Sequence, residues 1–212
     1  DYETRLERLR RFVNEGLFQT YHAFLNNRQN WRGLAESLTQ QADTTLETAL
    51  PIMREDLDAP DLKVTILGLG KLGQRRMAPE SDLDLVFLFD DNVDRDLAAK
   101  AVRRLTTILT TPLQEGIAYE LDMRLRPSGR SGPPAVTLSA FQNYHAARAK
   151  TWEHIALVPA RIIAGDKALG HKAETIIADV LSRPRDRDQL LSDAVSMWER
   201  LNTERIRTVP AD

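Results

Sequence analysis

The feature that most constrains this chain is residues 64–89, VTILGLGKLGQRRMAPESDLDLVFLF, where two apolar runs flank a glycine-rich turn. The first run, Val64 to Leu67, leads into the turn, and the second, Leu85 to Phe89, follows two aspartates that are one residue apart. Short apolar runs bounded by turn residues are typical of buried strands. We therefore predict strand, glycine turn, acidic pair and strand, an order that suggests a phosphate-and-metal site.

The acidic pair, Asp82 and Asp84, lies at the entrance of the second predicted strand. The pleat of a strand turns both carboxylates to one face and the leucines beside them to the other. Two carboxylates so close repel each other, and binding of a divalent cation such as Mg²⁺ commonly relieves that repulsion. Acidic pairs are also common as caps or solvated turn residues, so the pair alone leaves both interpretations open.

A third carboxylate comes from a separate part of the chain. Residues 117–123 alternate strictly between apolar and polar side chains, which predicts a third strand with Asp122 on its polar face. In one sheet, Asp122 would lie near Asp82 and Asp84. Three carboxylates can hold two metal ions, which clamp the attacking and leaving oxygens in phosphoryl or nucleotidyl transfer. This context favours a metal site over a set of turn residues.

By itself the glycine turn is a weak signal. GLGKLG has the glycine spacing of the dinucleotide fingerprint, at positions 68, 70 and 73, and Lys71 is not followed by Ser or Thr as it is in a Walker motif. Its backbone N–H groups and one ammonium are nevertheless enough to hold a triphosphate. Arg124 and Arg126 follow Asp122, and arginine binds phosphate bidentately, although surface ion pairs are an alternative role for them.

Helical patterns precede and follow this central stretch. Apolar residues recur at helical spacing before Asp58, again between Leu97 and Leu109, and after Ala164. Ser139, with glutamine three positions later, predicts a capping box, and two aspartates, Asp166 and Asp186, are predicted N-caps. We predict three units along the chain: an N-terminal helical segment (1–58), a catalytic core (59–165) and the start of a C-terminal helical domain (166–212).

Composition excludes several classes of protein. The chain has no cysteine, so disulfides and thiolate metal sites are ruled out. A net charge of -2 argues against a nucleic-acid-binding surface over the whole protein. No apolar run approaches the roughly 20 residues of a membrane helix. We expect a cytoplasmic protein without nucleic-acid or membrane partners, and we expect the chain to be a piece of a longer one.

Three motifs in order, GLGKLG…SDLDLVFLFD, YELDMRLRPSGRSG and TWEHIALVPARIIAGD, strongly resemble the nucleotidyltransferase domains of glutamine synthetase adenylyltransferase, also called glutamate-ammonia-ligase adenylyltransferase. The likeness covers most of the chain. RLRPSGRSG followed by TWEH looks more like the half of that enzyme that adds AMP than the half that removes it. The resemblance implies an α+β fold with a DNA-polymerase-β-like nucleotidyltransferase core, in which a small mixed sheet with helices is flanked by N-terminal helices and a C-terminal helical segment.

The resemblance also implies roles for individual residues. The family's aspartates matching Asp82, Asp84 and Asp122 are catalytic and hold Mg²⁺, so two ions are expected. ATP would be the substrate, and the implied nucleotide-binding residues are Gly70, Lys71, Gly73, Ser81, Arg124, Arg126 and Ser128. The implied reaction is attack of a glutamine synthetase tyrosine hydroxyl on the α-phosphorus of ATP, with release of pyrophosphate, as a control on nitrogen assimilation. A PII-type signal protein would act through the full-length enzyme.

Two alternatives stay open from the sequence. The first is the adenylyl-removing half of the same enzyme, which has the same fold and works by phosphorolysis. The second is a regulatory module that binds nucleotide without catalysis. Gln74 and Arg76 encourage it, because the family usually has a glycine and an acidic residue at these positions.

Overall fold

The structure is a computed structural model that describes the backbone of residues 1–208 and the side chains of residues 1–199. The last four residues of the predicted C-terminal segment, 209–212, lie outside the described residues. Helices and strands follow one another as α1 Tyr2–Leu25, α2 Trp31–Asp56, β1 Val64–Gly68, α3 Gly70–Gly73, β2 Leu83–Phe89, α4 Arg95–Thr110, β3 Leu121–Asp122, β4 Ala135–Thr137, α5 Leu138–Ala147, α6 Thr151–Leu157, β5 Arg161–Gly165, α7 Lys167–Ser182 and α8 Arg187–Thr208.

The strands form one small mixed sheet in the order β3-β2-β1-β5, and β4 also pairs with β2. β1 is antiparallel to both of its neighbours, β2 and β5. β2 is parallel to β3 at its beginning and to β4 at its end. The predicted mixed sheet with surrounding helices is therefore confirmed, and β2 is the strand to which both β3 and β4 attach.

Helices cover both faces of the sheet, which explains why β1 and β2 are apolar without alternation. On one face, side chains such as Ile66 and Phe87 pack with α1, α2 and α4. On the other, Leu67, Val86 and Leu88 pack with α5 and α7. Asp84 belongs to this second face by the alternation of β2, at the end where the strand begins. A polar site thus opens at one end of an otherwise apolar sheet.

The predicted third strand is much shorter than expected. Only Leu121 and Asp122 pair with β2, rather than the whole segment from Ile117 to Met123. The backbone N–H groups of Ala118 and Tyr119 instead donate to the carbonyl oxygen of Leu109, at the end of α4. Burial in this segment does not follow the predicted alternation, because Ala118 of the predicted polar face is buried whereas Tyr119 and Leu121 are half-buried. The backbone at the start of the segment pairs with the end of a helix rather than with the sheet.

The helix caps are partly as predicted. Asp166 accepts a hydrogen bond from the N–H of Leu169 (2.8 Å), and Asp186 accepts one from Gln189 (2.7 Å), so both predicted N-caps are confirmed. The predicted capping box at Ser139 is wrong, because Thr137 is the N-cap of α5. The N–H of Ser139 donates to Asp91 (2.8 Å), a contact from another loop that sequence spacing does not show.

Every helix among residues 1–208 is too short or too polar to cross a membrane.

Candidate functional site

The sheet brings two of the three predicted carboxylates to neighbouring positions. Asp84 of β2 and Asp122 of β3 are directly paired in the parallel register. Asp82 is exposed and lies just before β2, and its charge acts on Asp84 together with that of Asp122. Because parallel register places both side chains on one face, a shared acidic cluster forms where β2 and β3 begin.

Asp84 is the carboxyl most altered by its surroundings. Burial, followed by the negative charges of Asp82 and Asp122, raises its pKa to about 6. Arg124 and Lys71 act in the opposite direction. Desolvation and like charges both disfavour an ionised carboxyl, and such shifts are frequent at functional sites. Asp84 is therefore the residue where binding of a cation would change the charge state most.

Gly70 packs so closely against the Asp84 carboxylate that there is no room for a side chain. Its φ of +50° is in the left-handed region, and a Cβ at this position would lie 2.0 Å from Oδ2 of Asp84. The absence of a side chain therefore lets the glycine turn touch the acidic cluster directly. The other predicted turn residue, Gly73, must be glycine for a different reason. A Cβ at this position would lie 2.4 Å from the carbonyl oxygen of Pro159.

Lys71 of the glycine turn contacts Ser81, which lies just before the acidic pair. The Lys71 ammonium donates to Oγ of Ser81 (3.3 Å), which also accepts from the N–H of Ala78 (3.1 Å). Lys71 is exposed and acts electrostatically on Asp84, so its charge is available at the mouth of the cluster. Gln74 and Arg76, the two unusual residues of the turn, are both exposed.

Arg124 is bound to Asp122. Its Nε donates to Oδ2 of Asp122 (2.6 Å), its backbone N–H donates to Oδ1 (2.8 Å), and a further guanidinium nitrogen contacts the same carboxylate. These contacts outweigh partial burial and lower the pKa of Asp122. The two strand carboxylates thus differ, with Asp122 held ionised by a cation and Asp84 held closer to neutrality.

Arg126 and Ser128 belong to the loop between β3 and β4. The Arg126 guanidinium donates to the carbonyl oxygens of Met123 (2.7 Å) and Gly132 (3.2 Å), among others, and so holds the loop between β3 and β4 together. Ser128, at φ +62°, lines a separate cavity that includes Phe89. Asp84 and Phe89 lie near opposite ends of β2, about 16 Å apart at ~3.3 Å per residue.

The chemistry of the cluster suits a divalent cation, but its arrangement is not that of a preformed metal site. Carboxylate oxygens are the ligands Mg²⁺ prefers, and the raised pKa of Asp84 records a repulsion that a cation would relieve. Among the described residues, however, no group of three acids or histidines converges closely enough to hold an ion. Asp122 already forms an ion pair with Arg124, so its positively charged neighbour in the structure is a guanidinium.

Two features of the site escaped the sequence analysis. Arg130 acts electrostatically on Asp122 from the loop that follows it.

The second feature is Glu153 of the TWEH motif, which is buried. Its carboxylate accepts hydrogen bonds from the Tyr144 hydroxyl (2.7 Å) and from the N–H of Lys150 (2.8 Å). Burial, together with the hydrogen bond to Glu153, raises the pKa of Tyr144. The capping position of Glu153 in TWEH was a signal for its contact with Lys150, but not for its contact with Tyr144.

Comparison with known proteins identifies the family. The family model described as glutamate-ammonia ligase adenylyltransferase matches residues 1–176. A bifunctional glutamine synthetase adenylyltransferase/adenylyl-removing enzyme of Agrobacterium fabrum is 37% identical over 96% of this chain and 22% of its own length. The enzyme of the same name from Bordetella pertussis is 36% identical over 95% of this chain and 22% of its own length.

The chain belongs to the glutamate-ammonia ligase adenylyltransferase family. It spans about a fifth of the length of the curated relatives it matches.

Proposed function

We propose that this chain is an adenylyltransferase domain that transfers AMP from ATP to a tyrosine hydroxyl of glutamine synthetase and releases pyrophosphate. The observation that carries the proposal is the register of β2 and β3, which pairs Asp84 with Asp122 beside a glycine turn that only glycine can form. The names of the relatives support both the transferred group and the protein substrate. We also propose that residues 59–165 form a DNA-polymerase-β-like nucleotidyltransferase core.

In this proposal Asp82, Asp84 and Asp122 would hold Mg²⁺, which would supply positive charge for the phosphate oxygens of ATP. Arg124 contacts Asp122 in the structure, and a change of partner would let its guanidinium pair with phosphate instead. Lys71 and the N–H groups of the turn starting at Gly70 contact the triphosphate. Arg126 holds together the loop that carries Arg124. Ser128 lies in the same loop, and both residues are proposed to contribute to nucleotide binding.

The reaction is proposed to take place in the cytoplasm, with no nucleic acid or membrane taking part. Control by a PII-type signal protein would operate through a longer protein of the relatives' kind. The relatives' names combine two activities, and the chain matches only about a fifth of them, so the adenylyl-removing reaction is the second candidate. Running both assays on the same preparation separates the two reactions.

The test is transfer of radiolabel from [α-³²P]ATP to unadenylylated glutamine synthetase. We expect incorporation that requires Mg²⁺ and that falls on the order of 100-fold or more in Asp84→Asn and Asp122→Asn. Asp61→Asn, at an exposed acid outside the cluster, serves as the control and should retain full activity. Full activity in Asp84→Asn would overturn the proposed role of the cluster.

The parallel assay supplies adenylylated synthetase with phosphate and measures release of ADP. Release of ADP without incorporation of AMP would assign the adenylyl-removing reaction instead. Binding of Mg-ATP by calorimetry without turnover in either assay would assign a nucleotide-binding regulatory module.

A further inference from the structure

A second cavity lies at the far end of the sheet from the acidic cluster. It has a volume of about 440 Å³, is open to solvent on one side and is lined by residues of α4, β4, α5 and the loop between β3 and β4. Its apolar wall includes Phe89, Val93 and Val136. The separation of about 16 Å along β2 and the absence of any of the three carboxylates from its lining set it apart from the site of the proposed reaction.

The polar groups of this cavity are cationic or neutral. Arg95 lies in the first turn of α4 and Arg148 is the C-cap residue directly after α5, and Asn143 adds an amide. Neither guanidinium has a hydrogen-bond or ion-pair partner among residues 1–199. Two unpaired guanidinium groups beside an apolar wall favour a ligand that has an apolar body and an anionic group.

The acids near the cavity are engaged elsewhere. Asp94 caps α4 by accepting from the N–H of Leu97 (2.8 Å), and Asp91 accepts from the N–H of Ser139 (2.8 Å). Glu153 accepts from Tyr144 and from the backbone of Lys150. No carboxylate lines the cavity. The positive charge of its two arginines is therefore not cancelled from within.

The cavity wall is continuous with the loop that carries Arg124. Ser128 and Pro133 line the cavity, and the guanidinium of Arg126 ties Met123 to Gly132 and Pro133 in the same loop. Tyr144, which also lines the cavity, is fixed by Glu153. The wall is thus held in place by hydrogen bonds on both sides, as a preformed ligand site requires.

We propose that this cavity is a second ligand site, which takes a small molecule with a flat apolar body and one anionic group facing Arg95 and Arg148. The site does not depend on the adenylyltransferase proposal, since none of its lining residues belongs to the acidic cluster. Its natural ligand would be an aromatic or similarly apolar carboxylate, sulfonate or phosphate.

The test compares two probes of nearly equal shape, 1-naphthalenesulfonate and the neutral 1-naphthalenesulfonamide. Each is titrated into the ¹⁵N-labelled chain, and the affinity is measured from the amide shifts of Ala140 and Asn143. We expect the sulfonate to bind about tenfold more tightly than the sulfonamide, because a charge-assisted contact is added.

The variants Arg95→Gln and Arg148→Gln should each reduce that preference for the anion. Arg103→Gln removes an exposed charge elsewhere on α4 and should leave the preference unchanged. Ala140→Trp, which fills the cavity from α5, should abolish binding of both probes while the remaining amide spectrum shows an intact fold. Equal affinity for the two probes, or the same preference in all three arginine variants, would overturn the proposal.

Discussion

At the scale of single residues, the closest approach in the candidate site is between Gly70 and Asp84. Gly70→Ala should lower the free energy of unfolding by about 2 kcal/mol or more, since a left-handed φ is strained for alanine and the new Cβ would meet Oδ2 of Asp84. Gly116→Ala is the matched control, because Gly116 has φ +82° but nothing within 4 Å of its Cβ position. Urea denaturation measures both. If Gly70→Ala and Gly116→Ala lost the same free energy of unfolding, the Asp84 side chain would have moved away from the new Cβ at no cost.

The ionisation of Asp84 is a second residue-scale prediction. Its pKa of about 6 should fall in Asp82→Asn but stay above the ordinary value of 3.8, because burial is the largest cause of the shift. Carboxyl ¹³C chemical shifts measured against pH test this, with Asp61→Asn as control. Since the folded pKa is raised, ionisation of Asp84 costs stability as the pH rises from about 4 to about 6. An unchanged pKa in Asp82→Asn would show that the charge of Asp82 does not contribute to the shift.

His145 gives the fold an acid-sensitive point. Its ring is buried, packs against Phe141 (4.5 Å between ring centroids) and has no hydrogen-bond partner for either nitrogen. Burial lowers its pKa from 6.5 to about 4, with a smaller contribution from His154. Above pH 6.5 the ring is neutral in both states. As the pH falls towards 4, only the unfolded chain takes up the proton, so stability is lost in that window.

Between pH 7.5 and pH 5, this residue should cost the wild type about 2 kcal/mol. Urea denaturation at the two pH values measures the loss, and His145→Phe should show a loss smaller by that amount. The exposed His171 gives the control variant, His171→Gln, which should behave as the wild type. An identical loss of stability in His145→Phe and the wild type would place the acid sensitivity elsewhere.

At the scale of elements, Arg10 joins α1 to the chain segment that leads into β3. Its guanidinium is fully buried and donates to the carbonyl oxygens of Leu6 (3.1 Å), Ile108 (3.2 Å), Thr111 and Gly116 (2.8 Å). These carbonyls include groups at the end of α4, where a helix leaves acceptors unsatisfied. One side chain thus fixes where α1 lies relative to the segment that ends at Asp122.

Arg10→Met should therefore lower the free energy of unfolding by about 3 kcal/mol, because several buried acceptors lose their donor. Its neighbour Arg11 has a largely exposed side chain (63%) in a 3.7 Å ion pair with Glu115, so Arg11→Met should cost less than about 1 kcal/mol. Urea denaturation of the two variants measures the difference. Similar small losses in both would show that water replaces the Arg10 donors.

At the scale of the whole molecule, the two ends of the chain differ in what they contribute to the core. Leu9, Leu38 and Leu46 of the N-terminal helices belong to the same apolar cluster as Ile66 and Phe87 of the sheet. In α8, by contrast, Leu191 is 62% exposed and Trp198 64% exposed. The sheet therefore depends on α1 and α2 for one of its faces, but not on α8.

A chain of residues 59–212 should consequently lose cooperative unfolding, since only α4 would be left on the face of the sheet that α1 and α2 cover together with it. A chain that stops at residue 186 should keep it. Near-ultraviolet circular dichroism during thermal unfolding compares the two truncations. A sharp transition in the chain of residues 59–212 would show that the core is an independent unit.

Much of the fold was predictable because local patterns record burial and capping. The apolar runs of β1 and β2, the helix that became α4 and the cap residues Asp166 and Asp186 are all local signals. The capping box at Ser139 and the length of β3 were mispredicted because other partners satisfy the backbone groups concerned: Asp91, from a distant loop, accepts from the N–H of Ser139, and Leu109, at the end of α4, accepts from Ala118. Such partners leave no trace in spacing.

The sequence by itself determined the kinds of side chain in the candidate site, the order of its motifs and the family to which the chain belongs. Only the tertiary structure decided which residues meet. It paired Asp84 with Asp122, bound Arg124 to Asp122 and placed Ser128 on the wall of a second cavity. The physical reason is that residue type and spacing fix local conformation and burial, whereas strand register and loop path depend on contacts between distant segments.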